Sequence, residues 1–146
     1  MLVVLQFITF LACAIFAGAA LYVTLVEHPA RMQCETRIAA TQWAPSYGRG
    51  ALMQAPLAII ALLGGVAAWW MGAPICWLIA GLSVGAAVPF TLLAIMPTNR
   101  RLQEPGRDLG SAETRMLLQR WGRLHAVRTL LGMIALVLLT WLLVVS

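Results

Sequence analysis

Residues 50–96 read GALMQAPLAIIALLGGVAAWWM, then GAP, then ICWLIAGLSVGAAVPFTLLAIM, a run of 47 residues without one charged side chain. The triplet Gly72-Ala73-Pro74 divides it into two apolar stretches, Gly50 to Met71 and Pro74 to Met96. Each can cross a hydrocarbon layer of about 30 Å at 1.5 Å per helical residue. Three residues carrying glycine and proline leave room only for a tight reversal. The stretch therefore reads as a pair of antiparallel transmembrane helices.

Two further apolar stretches flank this pair. One runs from about Leu2 to Val26, the other from about Ala126 to Ser146, with Arg128 at its entrance. The remainder of the chain is two short charged links, 27–49 and 98–125. Of the 146 residues, 62% are hydrophobic and 10% charged. Soluble domains carry about 25% charged residues, so the composition excludes a disordered chain and argues against an ordinary soluble domain. Residues 1–146 read as one membrane domain, all-α, an integral membrane four-transmembrane-helix bundle. No Lys or Arg precedes the first apolar stretch, which reads as a retained span and not a cleaved leader. The three cysteines, Cys13, Cys34 and Cys76, contain no C-x-x-C pair, so neither a disulfide framework nor a zinc ribbon is expected.

The net charge is +5 and all ten basic residues are arginine. Residues 27–49 sum to +1; the second link with the start of span four sums to +4. With four spans, both links fall on one side of the bilayer. The positive-inside rule makes that side cytoplasmic and turns both termini outward, placing Cys34 and Cys76 on opposite faces. Arginines beside membrane spans meet anionic headgroups, so the expected partner is the lipid bilayer and not nucleic acid.

The links are expected to be partly helical. Pro29 suits a first turn or a kink, and Ala30 to Trp43 suits a short interfacial helix. Pro105-Gly106 breaks the second link, after which Ser111 can cap a helix with Glu113 at its positive end. Within the spans, Pro56 and Pro89 predict kinks. Gly81 and Gly85, like Ala14 and Gly18, form small-x-x-x-small pairs that allow close helix contact within the chain or in a homo-oligomer. Trp69, Trp70, Trp77 and Trp141 read as an aromatic belt at the far interface.

Chemistry concentrates at the charged end. His28 closes span one and His125 opens span four. Trp121, His125, Arg128 and Gly132 fall at spacings of four, three and four, one helical stripe. An imidazole and a guanidinium on one face can serve as a base and an anion clamp. The competing reading makes His125 interfacial and lets Arg128 reach up to lipid phosphate. Asn99 and Arg100 end span three, and Trp43, Tyr47 and Trp121 add aromatic surface at the same level. Together they suit a concave mouth for an apolar small molecule. Glu27 and His28 are adjacent and point about 100° apart on a helix, so sharing one site requires Pro29 to distort the turn. No metal or other cofactor is expected from the spacing; the alternative is a haem- or copper-binding redox protein using His28 and His125. A further alternative is a non-enzymatic assembly or lipid-interacting subunit, which predicts no cavity beside His125.

The stretches GAALYVTLVEHP (18–29), WAPSYGR (43–49), MPTNRRL (96–102) and WGRLHAVRT (121–129) resemble the anthrone oxygenase family of small four-helix membrane proteins. P-x-N-x-x-L and W-x-x-x-H-x-x-R are the more specific elements. The resemblance implies oxidation of a polycyclic aromatic anthrone by O₂ without an evident cofactor. It implies His125 as the base, Arg128 and Asn99 as oxyanion partners, and Trp43, Tyr47 and Trp121 as the ring platform. Arg100 is expected to help bind the substrate.

Overall fold

The computed structural model describes residues 1–145; Ser146, the end of the expected fourth span, lies outside the described residues. Four long helices account for nearly all of it: α1 (Leu2–Met32), α2 (Thr36–Trp70), α3 (Ile75–Leu102) and α4 (Ala112–Val145). Each contains a window apolar enough to cross a membrane. At 28 to 35 residues they extend roughly 40–50 Å, well beyond a hydrocarbon core of about 30 Å. The excess lies at one end, where the C-termini of α1 and α3, the N-termini of α2 and α4 and the two connections between them carry every charged side chain. Hydropathy marks the lipid-immersed length; each helix continues past it until the chain turns at 33–35 or 103–111. No separate interfacial helix forms over Ala30 to Trp43: α1 ends at Met32, the chain turns at Gln33-Cys34-Glu35, and α2 then runs unbroken to Trp70.

The helices go up and down around a ring. Each packs along its two sequence neighbours, α4 closes on α1, and the diagonal pairs barely touch. Small residues set the approach. A Cβ on Gly65 of α2 would lie 2.5 Å from the Trp77 carbonyl oxygen, and one on Gly81 of α3 would lie 2.8 Å from the Ala61 carbonyl oxygen. Gly64 makes room for Thr9 of α1, and Gly132 lets α4 close on Phe16 and Ala17. The Gly81/Gly85 pair is thus used within the chain, against Ala61, Leu62 and Gly65. Gly18 meets nothing within 4 Å of a would-be Cβ. The Ser83 hydroxyl donates to the Leu131 carbonyl at 2.9 Å, one polar tie between α3 and α4. Trp77 does not join an aromatic belt: it is 2% exposed and packs in the apolar core, whereas Trp70 and Trp141 are 82% and 67% exposed. Trp77, Gly81 and Val84 share the face of α3 turned to the interior.

The prolines act unequally. Through Pro45 and Pro56, α2 remains helical. Near Pro89, α3 loosens between Gly85 and Ala87. Pro29 and Pro97 each stand two residues after a wide, π-type turn, Val23–Glu27 in α1 and Thr91–Ile95 in α3. A proline removes the donor that the carbonyl four residues earlier would use; a turn closed by i→i+5 bonds lets a later amide reach back. Membrane helices have no water to make the repair.

The ends are closed as the sequence predicts at Ser111, whose hydroxyl accepts the Thr114 amide at 3.2 Å. Gly72 and Gly106 carry positive φ, +94° and +78°, at two of the three connections. Arg115 reaches from α4 to donate to the Cys34 carbonyl at 2.9 Å and to the Met32 carbonyl, capping the end of α1.

The close crossing of α2 and α3 makes a contrast testable. Gly65→Leu is expected to lower stability in detergent by about 1–3 kcal/mol, since the crossing must open, while Gly18→Leu leaves it unchanged. Thermal melts of the two variants against the parent check this; equal melting for all three removes the packing account.

Candidate functional site

The polar end of the bundle is organised around Trp121. His125, one turn further along α4, stacks on it with ring centroids 5.0 Å apart at 29°. His28 approaches it from α1 at 5.2 Å, tilted by 53°. Trp43 of α2 meets it edge-on at 5.9 Å, and Tyr47 stacks on Trp43 at 5.2 Å. The Arg31 guanidinium carbon lies 5.9 Å from the Trp121 ring centre. Both imidazoles are buried and turned inward, at 9% and 4% exposure. The space between them is filled by the indole.

Glu27 and His28, adjacent on α1, point to different neighbours, as residues about 100° apart on a helix do. The Glu27 carboxylate accepts from Arg31 Nη2, one turn on in α1, at 2.6 Å, and from α2 it accepts from Gln42 at 3.2 Å and from the Ser46 hydroxyl. Arg31 also donates to Ser46 Oγ and to Gln42 Oε1, and its Nη1 donates to His28 Nδ1 at 3.3 Å. His28 faces α4 instead, where Gly122 leaves the gap its ring occupies; a Cβ there would overlap the imidazole. Glu27 and His28 therefore do not share a site. Arg31 links them.

Arg128 is buried and pairs with no carboxylate among the described residues. Its Nη2 donates to Gln54 Oε1 at 2.8 Å, and its guanidinium carbon lies 5.6 Å from the Phe16 ring centre. Beside it opens a cavity of about 170 Å³. Arg128, Gln54, Tyr47 and Thr91 supply the polar wall; Phe16, Met96 and small α2 residues such as Ala51 and Ala55 supply much of the rest. Ala55 and Leu92, on α2 and α3, are exposed at its lipid-facing edge.

Several buried polar atoms at this end lack any partner: Arg128 Nε, the Nε1 of Trp43 and of Trp121, Thr98 Oγ1, and both ends of the Asn99 amide. Such groups cost free energy unless something pairs with them. Asn99 is fully buried and shares a face of α3 with Ile95 and Leu102, which pack with Trp43 and Trp121. Most of these free atoms are donors, which suits a ligand with oxygen acceptors.

Of the residues singled out in the sequence, Arg128 and Tyr47 line the cavity. Trp43, Trp121, His125 and Asn99 are buried around it without lining it, and Arg100 is exposed. The sequence reading does not single out Gln54, although a polar residue within an apolar stretch, here near the start of Gly50 to Met71, is the signal that marks functional positions in membranes. His28 and His125 lie on the same indole, each with Nδ1 already engaged, by Arg31 and by Thr24. Among the described residues no three His, Cys, Asp or Glu side chains gather as a metal-binding group.

These features define a multi-pass helical membrane protein with a small, partly apolar chamber and an uncompensated cation in its wall. Residues 43–138, about two thirds of the chain, match the anthrone oxygenase family, and the chain belongs to that family. No curated protein and no solved structure matches it significantly. The matched segment holds Tyr47, Gln54, Asn99, Trp121, His125 and Arg128; the α1 half of the site, with Phe16, Thr24 and His28, lies before it.

The Glu27–Arg31 pair yields a stability prediction. The Arg31 side chain is 2% exposed, so Glu27→Ala strands a buried guanidinium and is expected to cost about 3 kcal/mol. Arg101→Ala breaks the exposed bridge to Glu113 and is expected to cost less than about 1 kcal/mol. Melting curves that rank the two variants the other way contradict the assignment of Arg31 as an internal strut.

Proposed function

We propose that the protein is a membrane-embedded oxygenase that oxidises an apolar polycyclic aromatic substrate of the anthrone type with O₂, using the chain's own residues and no bound cofactor. The observation that carries this reading is the buried Arg128 guanidinium, held by a neutral amide at the wall of an apolar chamber. A cation without a counter-charge in low dielectric favours an anion formed beside it.

An anthrone offers such an anion. Removal of a proton from its central methylene gives an enolate whose charge rests on oxygen and spreads over the rings. In this scheme His125, which does not line the chamber as it stands, takes that proton once the substrate opens the packing around Trp121. Arg128 and Asn99 donate to the enolate oxygen, and Trp43, Tyr47 and Trp121 support the rings. The electron-rich carbon then reduces O₂ and binds it. The hydroperoxide so formed loses water, leaving a carbonyl where the methylene stood: one oxygen atom enters the quinone and the other leaves as water. Both substrates are apolar and concentrate in the bilayer. Ligand pockets for molecules of drug size run roughly 300–1,000 Å³, so a tricyclic substrate must extend through the edge near Ala55 and Leu92.

The activity test is oxygen uptake and quinone formation from 1,8-dihydroxyanthrone by the protein in lipid nanodiscs, with empty nanodiscs giving the autoxidation background. Loss of a charge-stabilising donor costs roughly 10²–10³-fold in rate, and Arg128→Gln is expected to fall in that range. His125→Ala is expected to lose about 10²–10⁴-fold. Turnover equal to background in the parent, or parent-like turnover in His125→Ala, sinks the corresponding part of the scheme.

The charged end is read as cytoplasmic, because every arginine lies there. Cys34 is exposed at that end and Cys13 is buried. A membrane-impermeant maleimide is therefore expected to label Cys34 in inverted vesicles and to leave it unlabelled in intact spheroplasts. Labelling of Cys34 from outside reverses the orientation.

A further inference from the structure

Thr24 and Thr129 join α1 to α4 beside His125, and the oxygenase scheme leaves both unused. Thr129 Oγ1 lies 3.0 Å from the Ala20 carbonyl oxygen and 3.5 Å from the carbonyl of His125 itself. It lies 2.7 Å from Thr24 Oγ1, which in turn lies 3.1 Å from His125 Nδ1. Thr129, Ala20 and His125 are buried, and Thr24 is half-buried.

A hydroxyl has one proton to give, and a carbonyl only accepts. The Thr129 proton is therefore drawn to a carbonyl. The contact between the two hydroxyls is then satisfied only if Thr24 donates to Thr129. Thr24 has no second proton, so its remaining contact must be one in which it accepts, and the donor is His125 Nδ1–H. The reverse order has Thr129 donating to Thr24 and Thr24 to the imidazole. It leaves two oxygen lone pairs facing each other at 3.0 Å in a dry interior.

We infer that the Thr129–Thr24 hydroxyl pair is a positioning device that holds neutral His125 in the Nδ1–H form, leaving the lone pair of a general base on Nε2. The partner of one ring nitrogen decides the protonation of the other. In α1 the chain begins its wide turn at Val23, so Thr24 stands where backbone geometry departs from the regular helix. His28 takes the opposite form: the Arg31 guanidinium can only donate, so His28 Nδ1 accepts and its proton sits on Nε2. The two histidines on Trp121 are thus set as complementary tautomers by their neighbours.

The catalytic meaning of this inference rests on His125 being the base; the tautomer does not. The test is NMR of the full chain in nanodiscs, labelled with ¹³C,¹⁵N-histidine, at mildly alkaline pH. There are only two histidines, and His28→Gln assigns the signals. His125 is expected to carry its proton on Nδ1, as read from one-bond couplings to the ring carbons. Thr129→Val frees the Thr24 proton to point at the imidazole and is expected to move the histidine proton to Nε2. Thr24→Val, which deletes the acceptor outright, is expected to abolish the preference, and Thr24→Ser to retain it. A parent protein with His125 protonated on Nε2 would falsify the inference, as would a tautomer indifferent to both valine variants. Anthrone turnover is read in parallel. Loss of about tenfold or more in Thr129→Val, with an unchanged melting temperature, ties the tautomer to catalysis. Full turnover in His125→Ala with the tautomer as expected overturns the base reading alone.

Discussion

Hydrocarbon supplies no hydrogen-bond partner, and the architecture follows from that one deficit. A backbone crossing it must bond to itself, which leaves helices as the available element for a chain of this composition. Where Pro29 and Pro97 remove a donor, the helix widens so that another amide serves. Several side-chain hydroxyls tie back to a carbonyl of their own helix, as Thr9 does to Leu5 and Thr91 to Ala87. Charges collect at the end where water is within reach, and the few that lie deeper are held by other side chains. Arg31 finds a carboxylate, two side-chain amide or hydroxyl oxygens and an indole face; Arg128 finds one amide oxygen and a phenyl face.

The number of helices, their apolar lengths and the clustering of charge were all legible, because hydropathy over 20 residues is a property of composition and needs no partner. The stripe Trp121, His125, Arg128 was legible too, since helical spacing fixes it within one element. What stayed hidden depends on how each helix is rotated against the next. The sequence alone does not separate Arg100 from Asn99; on α3 the first is exposed and the second buried. Glu27 and His28 are neighbours in sequence, but the step of about 100° between adjacent helical residues sends one to α2 and the other to α4. Trp77 was assigned to the interface by its level in the membrane, and packing against α2 drew it inside. Gln54 is legible from the sequence without its partner, as a lone amide amid apolar residues.

Arg31 and Arg128 illustrate why burial of a charge does not by itself mark a functional position. Both are nearly out of reach of solvent, both touch an aromatic face, and both reach α2. The charge on Arg31 is spent: Glu27 neutralises it, and Gln42 and Ser46 accept from it. Such a group ties α1 to α2 and has little left to offer a ligand. Arg128 has an idle Nε–H, a partner of zero charge and an open chamber at its side. Retaining an unneutralised cation there costs stability, and hydrophobic packing would be the cheaper filling for the same volume. The cost is offset when the chamber receives a molecule that becomes an anion, and the charge then acts most strongly at the moment that anion forms. The helix that carries Arg128 also carries His125 one turn away, so the group that stabilises the negative charge and the group proposed to create it are set at a fixed separation by the same backbone.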